Sequence, residues 1–315
     1  MADEPDWKKV GPLSRKITLK NDFSIVFMRE KEKIMEHEAT TRLAFFFGIL
    51  VLVALGELLS PRRVLFMSRP IRWFSNLGVV AVGALTVRLL FPFIGVHVAL
   101  AAQEKGWGLL NMVDLPEWLE VLIGVLVLDL VVYLQHVMFH TVPLIWRLHM
   151  MHHADMDIDV TTGLRFHPIE ILISMVIKMT AIAALGPTVF TVILFEIILN
   201  GTAMFNHGNL KLPLKLDKYL RLLVVTPDQH RVHHSVTIRE TNSNFGFNFP
   251  WWDRIFGTYR AQPVMGHEKM TIGLAQFREP KKNNLLHMLL MPFTDKAGSY
   301  SIDGHGADPE RIVRR

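Results

Sequence analysis

Residues 129–153 read DLVVYLQHVMFHTVPLIWRLHMMHH and hold five histidines: His136, His140, His149, His152 and His153. His136 and His140 are four residues apart, so on a helix they stack on one face. His149, His152 and His153 have offsets of three and four, which again suit a helix. The second spacing returns far downstream in TPDQHRVHH, as His230, His233 and His234. Imidazole is the commonest protein ligand for transition metals, and an i, i+4 pair can grip one ion. A lone histidine on an apolar helix is ordinarily a hydrogen-bonded packing residue. One HxxxH box and two HxxHH boxes are different: without a metal, neighbouring imidazoles repel when protonated and need separate partners when neutral. The chain is therefore expected to bring the three boxes together around metal.

Composition says where such a site would lie. The chain has 315 residues, half of them hydrophobic (50%), and no cysteine. Its mean hydropathy is positive, +0.27. Both figures favour an integral membrane protein. Without cysteine there are no disulfides, thiolate zinc sites or iron–sulfur clusters, so a metal must be held by nitrogen and oxygen. The net charge of +5 fits arginines and lysines flanking membrane spans. No nucleic-acid motif is present, and no nucleic-acid partner is expected. The first forty residues mix charges without a long apolar core, so no cleavable signal peptide is expected. The expected organisation is a polar N-terminal segment over 1–40, a membrane domain over 41–265 and a C-terminal tail over 266–315.

Apolar runs predict the spans. The first is Leu43–Leu59, stopped by Pro61. The basic stretch PRRVLFMSRPIRW follows, with Arg62, Arg63, Arg69 and Arg72, and reads as cytoplasmic and interfacial. Leu77–Ala102 carries Arg88 and Pro92 inside it, so a kink is expected. The acidic loop Gln103–Glu120 suits the opposite side. Val121–His140 delivers the first histidine box, and Ile169–Leu185 with Thr188–Phe205 forms a hairpin across Gly186-Pro187. Past His207 basic residues are frequent, which places that half in the cytoplasm. The predicted fold is an all-α integral membrane protein with about four or five membrane helices and a cytosolic helical cap holding a histidine-rich dinuclear metal site. An odd number of crossings would put the basic N-terminus outside. Either the first run does not cross, or the charge rule fails there.

The boxes HxxxH, HxxHH and HxxHH resemble those of the fatty acid hydroxylase/sterol desaturase superfamily. So do their surroundings: DLVVYLQHVMFH, PLIWRLHMMHHADMDIDVTTGLRFHP, FNHGNL, TPDQHRVHHS and NSNFGFNFPWWDRIFGTY. The resemblance runs from about Asp129 to Arg260. It implies a membrane enzyme with a histidine-ligated pair of iron ions, which uses dioxygen and reducing equivalents to hydroxylate or desaturate a lipid. Ligand type alone would also admit zinc, copper or nickel. Breaking an unactivated C–H bond needs a redox metal with an open position, and two metals sharing eight or nine imidazoles leave such positions.

The candidate ligands are His136, His140, His149, His152, His153, His230, His233 and His234. His207, in FNHGN, matches a family histidine and joins them. His167, in RFHP, is a further candidate ligand or outer partner. Metal-bound imidazoles usually donate their other N–H to a carboxylate or carbonyl. Asp129, Tyr133, Asn206 and Asp228 are candidates for that part, and helix caps or turns are the alternative. His37, His97, His267, His287 and His305 are expected to have surface or packing roles. WWDRIFGTY is expected to form a lid at the membrane interface. No electron-donor domain is visible, so a separate electron-transfer partner is expected, a reductase or a pterin. The rival reading is a membrane metal-binding or transport protein without oxygenase activity. It predicts ligands near the bilayer midplane along broken helices.

Overall fold

The computed structural model describes residues 37–91 and 94–302. Pro92, His305 and nearly all of the segment over 1–40 lie outside the described residues. The chain divides into two compact units, Met1–Leu43 and Ala44–Arg315. Within the first, Arg42 pairs with Glu38 at 2.5 Å along one helix face. The second carries everything that follows.

The helices that matter here are α1 Glu38–Leu59, α2 Arg69–Leu90, α3 Gly95–Lys105, α4 Glu117–Thr141 and α5 Pro143–His153. After them come α6 Pro168–Leu185, α7 Val189–Asn206, α8 Leu214–Leu220, α9 Pro227–His233 and α10 Leu285–Thr294. Among the described residues no strand joins them, only the isolated bridges Pro61–Leu210 and Ser235–Ile272. Five stretches are long and apolar enough to cross a membrane by length and composition: α1, Arg69–Met112 (which contains α2 and α3), α4, α6 and α7. The chain is an integral membrane protein, and the five expected runs are these five. The second run differs in detail. Its helix starts at Arg69 rather than Leu77, because Pro70 in the first turn pre-sets the helical φ. It stops at Leu90, and a new helix begins at Gly95.

Prolines set the joints around the site. Val142 precedes Pro143, whose ring disfavours a helical residue before it. Val142 is accordingly extended (φ −84°, ψ 113°), and α5 starts afresh with proline in its first turn. The same device opens α6 after His167 and α9 after Thr226, whose hydroxyl caps Gln229 N–H. At the opposite ends of the membrane helices, Gly186 closes α6 in the left-handed region (φ 69°). A Cβ at Gly108 would stand 2.3 Å from Gly186 N, so glycine lets these turns touch. There Glu120 on α4 accepts the N–H of Thr188, which caps α7.

Arg72 was expected as an interfacial charge, and it is instead fully buried. Its guanidinium grips Asp155 with two bonds of 3.0 and 2.8 Å and Asp159 with one of 2.5 Å. Asp157, between them, accepts the backbone N–H groups of Phe66 and Met67. The alternating acids of DMDID thus pin the chain after α5 to α2. Arg62 and Arg63 are also engaged internally, with Asp228 and with the carbonyls of His267 and Met270. The segment expected as a tail contributes to the core. Met288 and Met291 of α10, with Phe277 and Tyr300, pack against Trp146, Met150 and Met151 of α5.

Candidate metal centre

The α4 end, α5, the residue after α7, and α9 converge on one point. There, nine histidine side chains fall into two groups. His136, His140, His149, His153 and His233 form the first; His152, His207, His230 and His234 form the second. In each group, one nitrogen per ring lies within 4.8 Å of all the others. All nine rings are buried, at 2% exposure or less.

The helical period explains the sorting. A residue four along a helix lies about 40° from its start, and one three along about 60° the other way. Each HxxHH box therefore gives its i, i+4 pair to one group and its middle histidine to the other. The early box sends His149 and His153 to the first group and His152 to the second. The late box sends His230 and His234 to the second and His233 to the first. The two groups interlock, and neither box builds one alone.

Hydrogen bonds fix which nitrogen faces inward. Nδ1 of His136, His207 and His233 each lies 2.7 Å from a carbonyl oxygen, of Phe245, Ala203 and Ser243 respectively. His149 Nδ1 lies 2.7 Å from Glu170 Oε1, and His140 Nδ1 lies 3.0 Å from Asn242 Oδ1. A neutral imidazole has one N–H, and a carbonyl can only accept, so the proton sits on Nδ1 and Nε2 is bare. Yet Nε2 of His136 and Nε2 of His233 stand 3.0 Å apart. His207 Nε2 stands 3.2 Å from that of His152 and 3.1 Å from that of His230. Between His136 and His233 there is no proton to share, and two bare lone pairs at that distance repel. A cation reverses the sign of the interaction. Two nitrogens each about 2.1 Å from one ion, at right angles, stand about 3.0 Å apart. The donor set therefore fits a metal in each group.

Electrostatics agree. Burial holds His149 and His207 down at about 3. It pushes His152, His153, His230, His233 and His234 well below the ordinary range, with neighbouring imidazoles adding to the effect. Neutral rings are the state that ligates metal. His149 Nε2, His152 Nδ1, His230 Nδ1 and both nitrogens of His234 lack a hydrogen-bond partner. Such orphans are costly inside a protein unless something else satisfies them.

The other candidates sit elsewhere. His167 caps α6, its Nδ1 accepting Ile169 N–H and its Nε2 lying 3.1 Å from the Leu289 carbonyl. It belongs to neither group. Asp129 accepts Trp252 Nε1–H at 2.8 Å, which ties WWDRIFGTY to α4. Tyr133 bonds Thr258, Asn206 donates to the Phe247 carbonyl, and Asp228 pairs with Arg231 and Arg62. None of these four bonds a ring of either group. Their place is taken by Glu170, Asn242 and three carbonyls. Glu170 was findable, as the one acid in the mostly apolar run of α6. The carbonyls were not, since every residue has one. His267, expected to have a surface or packing role, is buried (5% exposed) and lies 3.6 Å from Asp228.

A family model described as fatty acid hydroxylase matches residues 121–258, a span that contains all nine histidines and both outer side chains. Over those residues the chain is similar to the fatty acid hydroxylase family. An ornithine lipid hydroxylase from Rhizobium tropici is 27% identical over 69% of this chain and 66% of its own length. Alkylglycerol monooxygenase from Xenopus tropicalis is 28% identical over 71% of this chain and 49% of its own. Methylsterol monooxygenase 2-2 from Arabidopsis thaliana is 27% identical over 58% of this chain and 71% of its own. The chain thus spans between about half and two thirds of the first two relatives. No solved structure matches it. Within the family match, the only histidine left out of the two groups is His167.

Proposed function

We propose that this chain is a membrane-bound di-iron oxygenase that hydroxylates or desaturates a lipid C–H bond with dioxygen and an external reductant. The observation that carries the reading is the pair of buried all-histidine groups, in the first of which the bare Nε2 atoms of His136 and His233 face one another. Bound iron would supply the redox chemistry that makes dioxygen an oxidant of an unactivated C–H bond. The protein's own part is to keep the rings neutral, to orient five of them (His136, His140, His149, His207 and His233) through carbonyl, carboxylate and amide partners, and to exclude bulk water. Hydroxylation puts one oxygen atom into the C–H bond and releases the other as water. Desaturation removes two hydrogens and releases both atoms as water. Either outcome consumes two electrons and two protons, delivered by a separate reductase or a pterin.

The relatives are named for ornithine lipids, alkylglycerols and methylsterols, so a lipid substrate taken from the bilayer fits all three names. A transporter would string ligands along a crossing path, whereas these nine are gathered at helix ends. With labelled dioxygen and reductant, the expected product is a lipid carrying one labelled oxygen. An unlabelled desaturated product would select the desaturase branch, and turnover unchanged without oxygen would remove both.

The site is assigned to the cytoplasmic side on the arginine distribution. Reporters fused after Arg62, Arg147 and Arg260 should all read the cytoplasm, and one after Glu117 the far side. A far-side signal at Arg147 would overturn that orientation.

A further inference from the structure

The aromatic rings around the histidines are not equivalent. Phe245 touches His136, His140 and His233, and Trp146 touches His140, His149 and His153. Phe139 touches His149. All of these partners belong to the five-histidine group, and the three rings are sealed at 1%, 0% and 2% exposure. Two other rings straddle the groups. Phe166 stacks on His152 of the second group (4.6 Å, 12°) and lies 6.3 Å from His149 of the first. Phe247 lies 5.2 Å from His136 of the first and 6.2 Å from His230 of the second. The two rings meet each other at 6.4 Å. They are also the least sealed of the set, Phe247 at 9% and Phe166 part-exposed.

Their backbones are anchored. Asn206, the last residue of α7, donates to the Phe247 carbonyl, and the buried Asp253 carboxylate accepts the N–H groups of Phe245 and Gly246 just before it. Phe166 sits two residues ahead of Pro168, the first residue of α6. The pair therefore lies where α4, α6 and α7 end, and each of these helices is long and apolar enough to cross a membrane. Other sides are closed. Tyr300 stacks on Trp146, and Gly163 packs so tightly that a Cβ there would stand 2.4 Å from the Ala203 carbonyl.

We infer that Phe166 and Phe247 form the face across which the substrate's hydrocarbon reaches both metal positions, and that they set which carbon is presented. This rests on the lipid-oxidation reading above. A face made of two rings recognises the reacting segment by apolar contact and shape, so that segment is an unsubstituted hydrocarbon chain. Specificity of this kind is worth roughly tenfold to two-hundredfold per methylene-sized change.

The test separates binding from turnover. The full chain, purified with its metal, is placed in phosphatidylcholine vesicles containing a fatty acid with a mid-chain diazirine, irradiated and mapped by peptide mass spectrometry. Adducts are expected within residues 164–168 and 245–249, and Phe247→Trp, which fills the face, should reduce them at least severalfold. Metal content, measured on the same samples, should stay at the wild-type ratio in Phe247→Trp and Phe166→Leu. In products, Phe166→Leu should move the oxidised position along the chain. Adducts confined to bilayer-facing residues, or labelling and product position unchanged in both variants, would overturn the inference. Intact labelling with no oxidised product would instead remove the proposed reaction and leave the face standing.

Discussion

Replacing His233 by alanine should strip metal from the centre and abolish activity, although His233 lies far along the chain from His136. In the fold their Nε2 atoms stand 3.0 Å apart. His233 is the late box's sole contribution to the five-histidine group, so its loss removes the late segment from that group. Outer partners of a metal ligand typically cost about 10–100-fold when removed, and a ligand itself should exceed that. Metal binding also contributes folding free energy, so the variant should unfold at lower temperature. His267→Ala serves as the control. His267 is buried beside Asp228 and outside both groups, so metal content and activity should be unchanged. Metal analysis, turnover and thermal unfolding on the two purified variants decide it. A fully loaded, fully active His233→Ala protein would mean the late box is structural.

Arg72→Ala should be the most damaging change remote from the histidines. The guanidinium is wholly buried against Asp155 and Asp159, and it also donates to Thr162. Burial alone would push the Asp155 carboxyl up, but Arg72 and Arg165 outweigh that and hold it at about 2. Removing one partner of such a pair leaves an uncompensated buried charge, at a cost of about 3–5 kcal/mol. That is a large part of a typical protein's net stability of about 5–15 kcal/mol. Asp155 follows His153 by two residues, so the damage should reach the metal: Arg72→Ala should bind less of it and unfold at lower temperature. Arg72→Lys keeps the charge but loses the two-pronged geometry and should fall between. A thermal midpoint for Arg72→Ala equal to the wild type would show that the pair contributes nothing to stability.

Much of this was legible in the chain, for identifiable reasons. Apolar runs marked the five stretches long and apolar enough to cross a membrane, because hydropathy over about twenty residues is a local property. Histidine spacing gave the ligands because three- and four-residue offsets are local geometry too. The division of each HxxHH box between two groups follows from the same geometry, but only once both boxes face one another. Long-range contacts hid the rest. Asp129 lies two helical turns before His136 on α4, and Trp252 claims its carboxylate instead. Asn242 gains its role only because the fold brings it to His140 across 102 residues of chain. Arg72 looked like an interfacial charge because its acids stand more than eighty residues further on. The arginines of that stretch, counted by the charge rule as topology signals, also hold the core together.

The central claim is that nine histidines hold two metal ions per chain, five around one and four around the other. The most direct measurement is the metal-to-chain ratio by elemental mass spectrometry on the active, purified protein, alongside His230→Ala. Two ions per chain are expected for the wild type, and at most about one for the variant, which removes a ligand from the four-histidine group. One ion per chain in a fully active wild type, or two in His230→Ala, would contradict the account.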